Sequence, residues 1–448
     1  MPSFQGPKGT RDLYPLDAAK RRFVMEAWRS ASIRHGFEEI DGPTFEHLPL
    51  YTVKSGEGIV SELFSFKRAG GEDDYALRPE FTPTLARMYA AKAGSLPKPT
   101  KWFMAGPFFR AERPQRGRLR EFLQWNVDFL GLAGDPKAPE EIERAKAAAD
   151  AEVIATCVSF LASLGLTPRD VRIRVNHRFA LSQWLESQGV AAERQGDLFK
   201  LLDQRGKLPE GQFAVGLAEF GFSTQQAEVF QKGVVRITVD DPQSAGDAVL
   251  DLTLFAHAVM PLAQQFAQMG IVDWIDFDLT VVRGLAYYTG MVFEVHEASG
   301  AERAIAGGGR YDGLVELFGG PGTPAVGFGM GDVVLALVLQ DRGLMPEDAR
   351  VVELAGLRPD VFVLSNGSAE ADAWVRPLCA RLRAAGLHAR HSYKATKNIG
   401  KLLKDGADLR ARFAVIVESP ESVTVKDLKT GSQSAVSLEG LASHLRGA

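Results

Sequence analysis

Cysteine is nearly missing: Cys157 and Cys379 are the only two in 448 residues, far apart and without CxxC spacing. That argues against a disulfide framework and against a thiolate zinc site. Histidine is also scarce. The eight residues show neither HxxxH nor HxH spacing, so no dedicated metal cage is expected. No apolar run approaches the roughly 18 to 20 residues a membrane helix needs. The opening MPSFQGPKGTRDLYP lacks the charged-then-apolar layout of a signal peptide. Internal repeats and low-complexity tracts are missing as well. These absences together predict a cytoplasmic protein with no membrane partner.

What is present is ordinary in bulk: 45% hydrophobic and 24% charged residues, the composition of a globular chain. At 448 residues it is too long for one compact core, so two or three domains are expected. The net charge of −4 alone does not suggest nucleic acid, but it is unevenly spread. From Pro359 onward there are 13 Lys and Arg against 9 Asp and Glu, net +4, which leaves −8 for the rest. A basic module on an acidic body suits an anionic partner at one end, although a mildly basic domain without such a partner fits charge alone equally well.

Along the chain, residues 18–35 space apolar side chains at three and four, as an amphipathic helix does, with Gly36 as its stop. Residues 75–90 run from a short strand through Pro79 into the helix TPTLARMYAAKAG. KWFMAGPFFR and EFLQWNVDFLG read as two strands around a long arginine-rich loop, a hairpin by pattern. Residues 138–165 form a helix, and VRIRV after it alternates as a strand. Residues 178–265 are rich in Gln, Leu and Ala with helical spacing and no chemical motif. From Trp274 to Leu335 the chain is strand-rich and glycine-rich. The last part alternates strand and helix (VFVLS, AEADAWVRPLCARLRAAG, HARHSY, NIGKLLKDGADLR, FAVIV, SVTVKDL), the pattern of a small α/β domain.

The strongest local feature is FRAERPQRGRLREFLQ. Five arginines between Arg110 and Arg120 repel one another unless anionic groups visit, and arginine forks bind phosphate bidentately. A basic loop by itself is most often a solvated hairpin. Here the flanking residues resemble motif 2 of class II aminoacyl-tRNA synthetases in its histidyl form. The resemblance implies that Arg110 holds the ATP α-phosphate and the amino-acid carboxylate. Glu112 then faces the adenine amino group, Phe122 stacks on the base, Arg118 reaches the distal phosphates, and Arg113 and Gln115 at the tip meet the tRNA acceptor end. The segment RGLAYYTG at 283–290, followed by VFE, resembles the histidyl family closely. It implies that Arg283 lies opposite Arg110 across the phosphate, a fixed cation where related enzymes use a metal. Such preorganised charge stabilises a pentacovalent phosphorus without reorganising.

LRPEFT at 77–82 resembles the family's LRPExT and places Glu80 and Thr82 by the amino group, with Phe81 between them in the histidine-binding set. Gln124 and Asp128, four apart on one strand, share a face. With Tyr287 and Tyr288 the family assigns them to the histidine pocket, together with Arg110 and Arg283. A site built to hydrogen-bond its substrate rejects analogues that leave its polar groups unpaired. AGGGRYDGL also matches. PKGTRDLYP and the segment ending IDGPTFE resemble the family opening and motif 1, which supplies the dimer interface of class II enzymes.

The resemblance implies an α+β catalytic domain on an antiparallel sheet with a helical insertion, plus a C-terminal α/β anticodon-binding domain. The expected boundaries are 1–177 and 266–350 for the two catalytic parts, 178–265 for the insertion, and 359–448 for the last domain. The implied substrates are L-histidine, ATP with Mg2+, and tRNA(His), with a homodimer and no resident metal or DNA partner. The family's third motif departs here: Val334 stands where an arginine usually contacts the γ-phosphate, and Val cannot bind phosphate. Ala286 replaces a usual acidic residue and Phe81 a common small one. Two readings stay open, an active enzyme whose motif 2 arginines hold the terminal phosphates, or a non-catalytic paralogue regulating ATP phosphoribosyltransferase. Such paralogues typically lack the C-terminal domain and degrade RGLxYYTG and motif 2, all retained here.

Overall fold

The computed structural model describes residues 4–53, 62–134, 136–205, 208–209, 211–235, 237, 250–283, 287–300, 302–394 and 396–447. It divides into two compact units, Met1–Asp12 with Val24–Met345, and Leu13–Phe23 with Pro346–Ala448.

The first unit is organised by a nine-stranded sheet. Its centre is antiparallel and takes strands in the order β5 (Thr100–Phe109), β6 (Glu121–Leu130), β12 (Ala325–Gly331), β11 (Ala306–Arg310), β10 (Met291–Glu297) and β7 (Val171–His177). β1 (Glu38–Glu39) adds in parallel to β5 at one side. At the other side β9 (Ile275–Asp278) adds in parallel to β7, and β8 (Val234–Val235) closes the edge. A separate three-stranded sheet orders β2 (Phe45–His47), β4 (Asp74–Leu77) and β3 (Ser65–Lys67).

β6 is buried along nearly its whole length, and its alternation decides what each face does. Trp125 points to the helical layer, 5.2 Å from Phe160 and 6.1 Å from Trp28. Those partners lie on the helices Pro139–Ser163 and Pro15–Arg34. Phe122, Gln124 and Asn126 line the opposite, open face. The hairpin read from pattern is present, with Phe109 opposite Glu121 and Gln115 bridged to Arg118 across the tip.

Residues 178–265 contain the helices Arg178–Ser187, Ala192–Asp203, Gln212–Ala218 and Thr224–Lys232 and most of Thr253–Gln268, which runs past the expected boundary. The segment is not purely helical, since β8 extends the main sheet. In the strand-rich stretch from Trp274, the first strand is short. β9 stops at Asp278, whose carboxylate accepts from both Thr280 N (2.9 Å) and Thr280 Oγ (2.6 Å), a turn that competes with ladder pairing. Arg283 then takes φ 53°, left-handed backbone that no strand contains. Ala286 falls outside the described residues.

The second unit orders β14 (Ala389–His391), β13 (Val361–Ser365), β15 (Phe413–Val417), β16 (Ser422–Asp427) and β17 (Gln433–Ser437). The first three are parallel and the last pairs antiparallel. Strand alternation gives it two cores. Val361, Val363, Val415 and Val423 pack on Leu378, Leu382 and Leu445, from the helices Ala369–Ala384 and Leu441–Gly447. Phe362, Leu364 and Ala414 pack on Leu402 of the helix Ile399–Asp408.

Candidate active site

A cavity of about 320 Å³ opens on the exposed face of the central strands. Its floor is short of side chains because β12 repeats glycine at alternate positions. A Cβ on Gly327 would come within 2.1 Å of Asp128 Oδ1, so only glycine leaves room for Asp128 there. A Cβ on Gly307 in β11 would stand 1.9 Å from the Arg283 guanidinium. That guanidinium therefore lies directly over bare backbone.

The cavity brings together Glu80, Thr82, Arg110, Glu112, Arg118, Phe122, Gln124, Arg283, Tyr287 and Tyr288, all expected from sequence. Arg110 is aimed by Nε donation to the Pro79 carbonyl (3.1 Å) and lies over the Phe122 ring at 5.0 Å. Arg283 donates to Glu294 Oε1 (2.9 Å), whose other oxygen meets His296 Nε2 at 2.9 Å. Burial alone would raise the Glu294 pKa, but the His296 hydrogen bond and Arg283 outweigh it and hold the group at about 2. Arg283 is thus a positioned, permanently charged group. Burial works against the charge of Arg110, and nearby Arg283 adds to the strain, while Glu112, Glu80 and Glu62 oppose it. Two arginines that line one cavity and oppose each other's charge favour an anion there.

Glu112 and Arg118 form a pair with each other at 2.5 Å. Glu80 Oε2 accepts from the Tyr287 hydroxyl (2.8 Å). Glu80 Oε1 and Asp128 Oδ2 are buried and have no hydrogen-bond partner among the described residues. Burial raises the pKa of Glu80, against the Tyr287 bond and the charges of Arg110 and Arg283. Burial likewise raises Asp128, to about 7, with the Tyr311 hydrogen bond opposing and Glu80 adding to the rise. Two neighbouring buried carboxylates are thus left with one unmet acceptor oxygen each.

Two expected pocket residues are placed elsewhere. Phe81 is fully buried in the apolar core with Leu85 and Tyr89, 5.9 Å from the Arg78 guanidinium, so its side chain packs and does not line the cavity. Asp128 is buried behind the lining residues, and the Tyr311 hydroxyl donates to its Oδ1 (2.5 Å). Arg113 and Gln115 at the hairpin tip do not line the cavity either. Val334 does, facing Gly117 of the hairpin.

Several lining groups went unnoticed in the sequence: Tyr311, Glu294, Asn126 and Arg303. Glu294 could have been found, since it follows the tyrosine pair as part of VFE. Asp332 was also missed. It accepts from Leu123 N (2.9 Å) and from Arg11 (2.7 Å), tying β6 to the PKGTRDLYP segment.

A family model described as "Histidyl-tRNA synthetase" matches residues 9–332, and one described as "Anticodon binding domain" matches residues 360–447. The "Histidine--tRNA ligase" of Haloarcula marismortui is 38% identical, covering 97% of this chain and 96% of its own length. That of Opitutus terrae is 37% identical over 100% of this chain and 99% of its own. Among solved structures, a histidyl-tRNA synthetase from Nostoc sp. PCC 7120 superposes with a TM-score of 0.75 at 22% identity, covering 100% of both chains. A Bacillus halodurans structure titled as an ATP phosphoribosyltransferase regulatory subunit/histidyl-tRNA synthetase gives a TM-score of 0.69 at 19% identity, covering 93% of this chain and 98% of that one. At such identities the structural likeness speaks for the fold.

Proposed function

The chain belongs to the histidyl-tRNA synthetase family, and we propose that it activates L-histidine with ATP and transfers it to tRNA(His). The observation that carries this reading is the pair of positioned guanidiniums, Arg110 and Arg283, beside two buried carboxylates with unsatisfied oxygens. The cations suit the α-phosphate and the histidine carboxylate. The carboxylates suit the ammonium and imidazole N–H groups, with Glu80, Thr82, Gln124, Tyr287 and Tyr288 around them and Asp128 buried behind.

In the first step a histidine carboxylate oxygen attacks the α-phosphorus. The bond from that phosphorus to the bridging oxygen breaks, and pyrophosphate leaves. The charge that builds up there is met by groups already in place, so little reorganisation is needed. ATP arrives with Mg2+ and takes Arg110, Glu112, Arg118 and Phe122. The Glu112–Arg118 pair exchanges partners, freeing Arg118 for phosphate and Glu112 for the base amino group. In the second step a hydroxyl at the tRNA 3′ end attacks the aminoacyl carbonyl and AMP leaves, with Arg113 and Gln115 toward the acceptor end. The same reading includes domains at 1–177 with 266–350, an insertion at 178–265 and a tRNA-binding domain at 359–448. It also includes a cytoplasmic homodimer joined through the first motif.

The regulatory reading is not favoured, because the arginine hairpin and the anticodon-type unit are both intact. Removing residues 359–448 should lower histidylation of tRNA at least about ten-fold more than ATP–pyrophosphate exchange, since each stacked base contributes about 1–3 kcal/mol. Equal losses in the two assays would contradict a tRNA-binding role for that unit.

A further inference from the structure

We infer that Arg303 binds the terminal phosphates of ATP, and so supplies the cation that the apolar wall at Val333 and Val334 lacks; this rests on the ATP-dependent reading above. Arg303 lies just before β11 and lines the cavity with Gly117, Arg118 and Val334. A Cβ placed on Gly117 would stand 3.2 Å from Val334 Cγ2 and 3.9 Å from Arg303 Cδ. The Arg303 stem, the hairpin glycine and the valine therefore meet at one point of the rim.

Of the other arginines nearby, Arg283 is paired with Glu294, Arg118 with Glu112 and Arg116 with Glu302, while Arg110 donates to the Pro79 carbonyl. Arg303 has neither an ion pair nor a hydrogen bond among the described residues. It is nonetheless held in place, because its neighbour Glu302 has a side chain only 8% exposed and anchors Arg116 of the hairpin at 2.5 Å. Burial and the charges of Arg118 and Arg110 lower the Arg303 pKa, and Glu112 opposes them.

Four guanidiniums (Arg110, Arg118, Arg283 and Arg303) and three carboxylates (Glu80, Glu112 and Glu294) line the cavity, an excess of positive charge that a polyanion relieves. With Arg110 committed at the α-phosphate, the outer position of Arg303 falls to the far end of the triphosphate. An arginine fork suits the oxygens of a terminal phosphate.

The test uses the full-length protein with Arg303→Ala and Arg303→Lys, and Arg303 is exposed, so neither substitution disturbs a core. The expected result is an ATP KM in pyrophosphate exchange raised roughly ten-fold in Arg303→Ala, the cost of one charge-assisted hydrogen bond at an exposed site. Histidine KM stays unchanged and Arg303→Lys recovers part of the loss. Binding of AMP, which has no β- or γ-phosphate, is unaffected. An unchanged ATP KM, an AMP affinity weakened as much as that for ATP, or a loss confined to the KM for tRNA would each overturn the assignment. If the wild type showed no histidine-dependent exchange, the proposed function would fail instead. Direct ATP and AMP binding to wild type and Arg303→Ala would still decide the role of Arg303.

Discussion

Arg283→Ala is expected to reduce histidine-dependent ATP–pyrophosphate exchange roughly 10²- to 10³-fold, the loss that follows removal of one preorganised group from a charged transition state. The size of the effect comes from how the side chain is held. Glu294 grips its guanidinium at 2.9 Å, Gly307 leaves it room over bare backbone, and its own backbone accepts φ 53° to bring it there. Left-handed backbone is uncommon for a residue other than glycine, and at Arg283 it coincides with a side chain that lines the cavity. Lysine should restore little, because a compact ammonium does not reproduce a fork. The reading is kcat/KM for exchange, with thermal unfolding as the control for folding. Exchange at the wild-type rate would remove Arg283 from the reaction.

Glu80→Gln is expected to raise the histidine KM by a similar factor, since breaking a buried charge pair costs about 3–5 kcal/mol, or roughly 10²- to 10³-fold. The ATP KM should change little. The same substitution should stabilise the ligand-free protein. Glu80 is buried with Oε1 unpartnered among the described residues, and burial raises its pKa. A carboxyl raised in the folded state binds more protons there than when unfolded. Its cost therefore grows as pH rises from the ordinary carboxylate value through the raised one, and glutamine escapes it. The Tm advantage of the variant should widen with pH over that window and then level off. A variant that binds histidine normally, or that melts lower than wild type at high pH, would contradict a carboxylate kept waiting for a cation.

These expectations rest on features of unequal legibility in the sequence. The arginine hairpin was readable because β-pattern and composition agree: two alternating apolar strands flank a loop whose charge makes sense only with an anion. The C-terminal α/β order was readable because its elements are short and regular, although β17 (Gln433–Ser437), with its polar QSAVS, gives no apolar signal and went unnoticed. The strand-rich pattern after Trp274 did not show where β9 ends, since β-branched residues continue past Asp278. The Asp278–Thr280 turn and the backbone of Arg283 depend on local hydrogen bonding that periodicity does not register. Phe81 misled for a different reason. It sits inside LRPEFT beside two cavity residues, but its side chain turns into the core while Glu80 and Thr82 turn out. Asp128 was read on the correct strand face, yet it is buried behind the lining residues, where it accepts from the Tyr311 hydroxyl. Arg303 belongs to no pattern at all. Its place beside Gly117 and Val334 is a long-range contact that only the folded sheet creates.

Val334 concentrates the remaining question, because an apolar residue at the outer wall is compatible with catalysis only if other groups hold the far phosphates. In the roles proposed for them, Arg118 and Arg303 supply the charge for this. The measurement that bears most directly on the account is pyrophosphate exchange by the unmodified full-length protein with ATP, Mg2+ and one amino acid at a time. The account predicts exchange that requires L-histidine and is not supported by other amino acids. No exchange with histidine under those conditions would contradict it and turn the reading toward a regulatory protein.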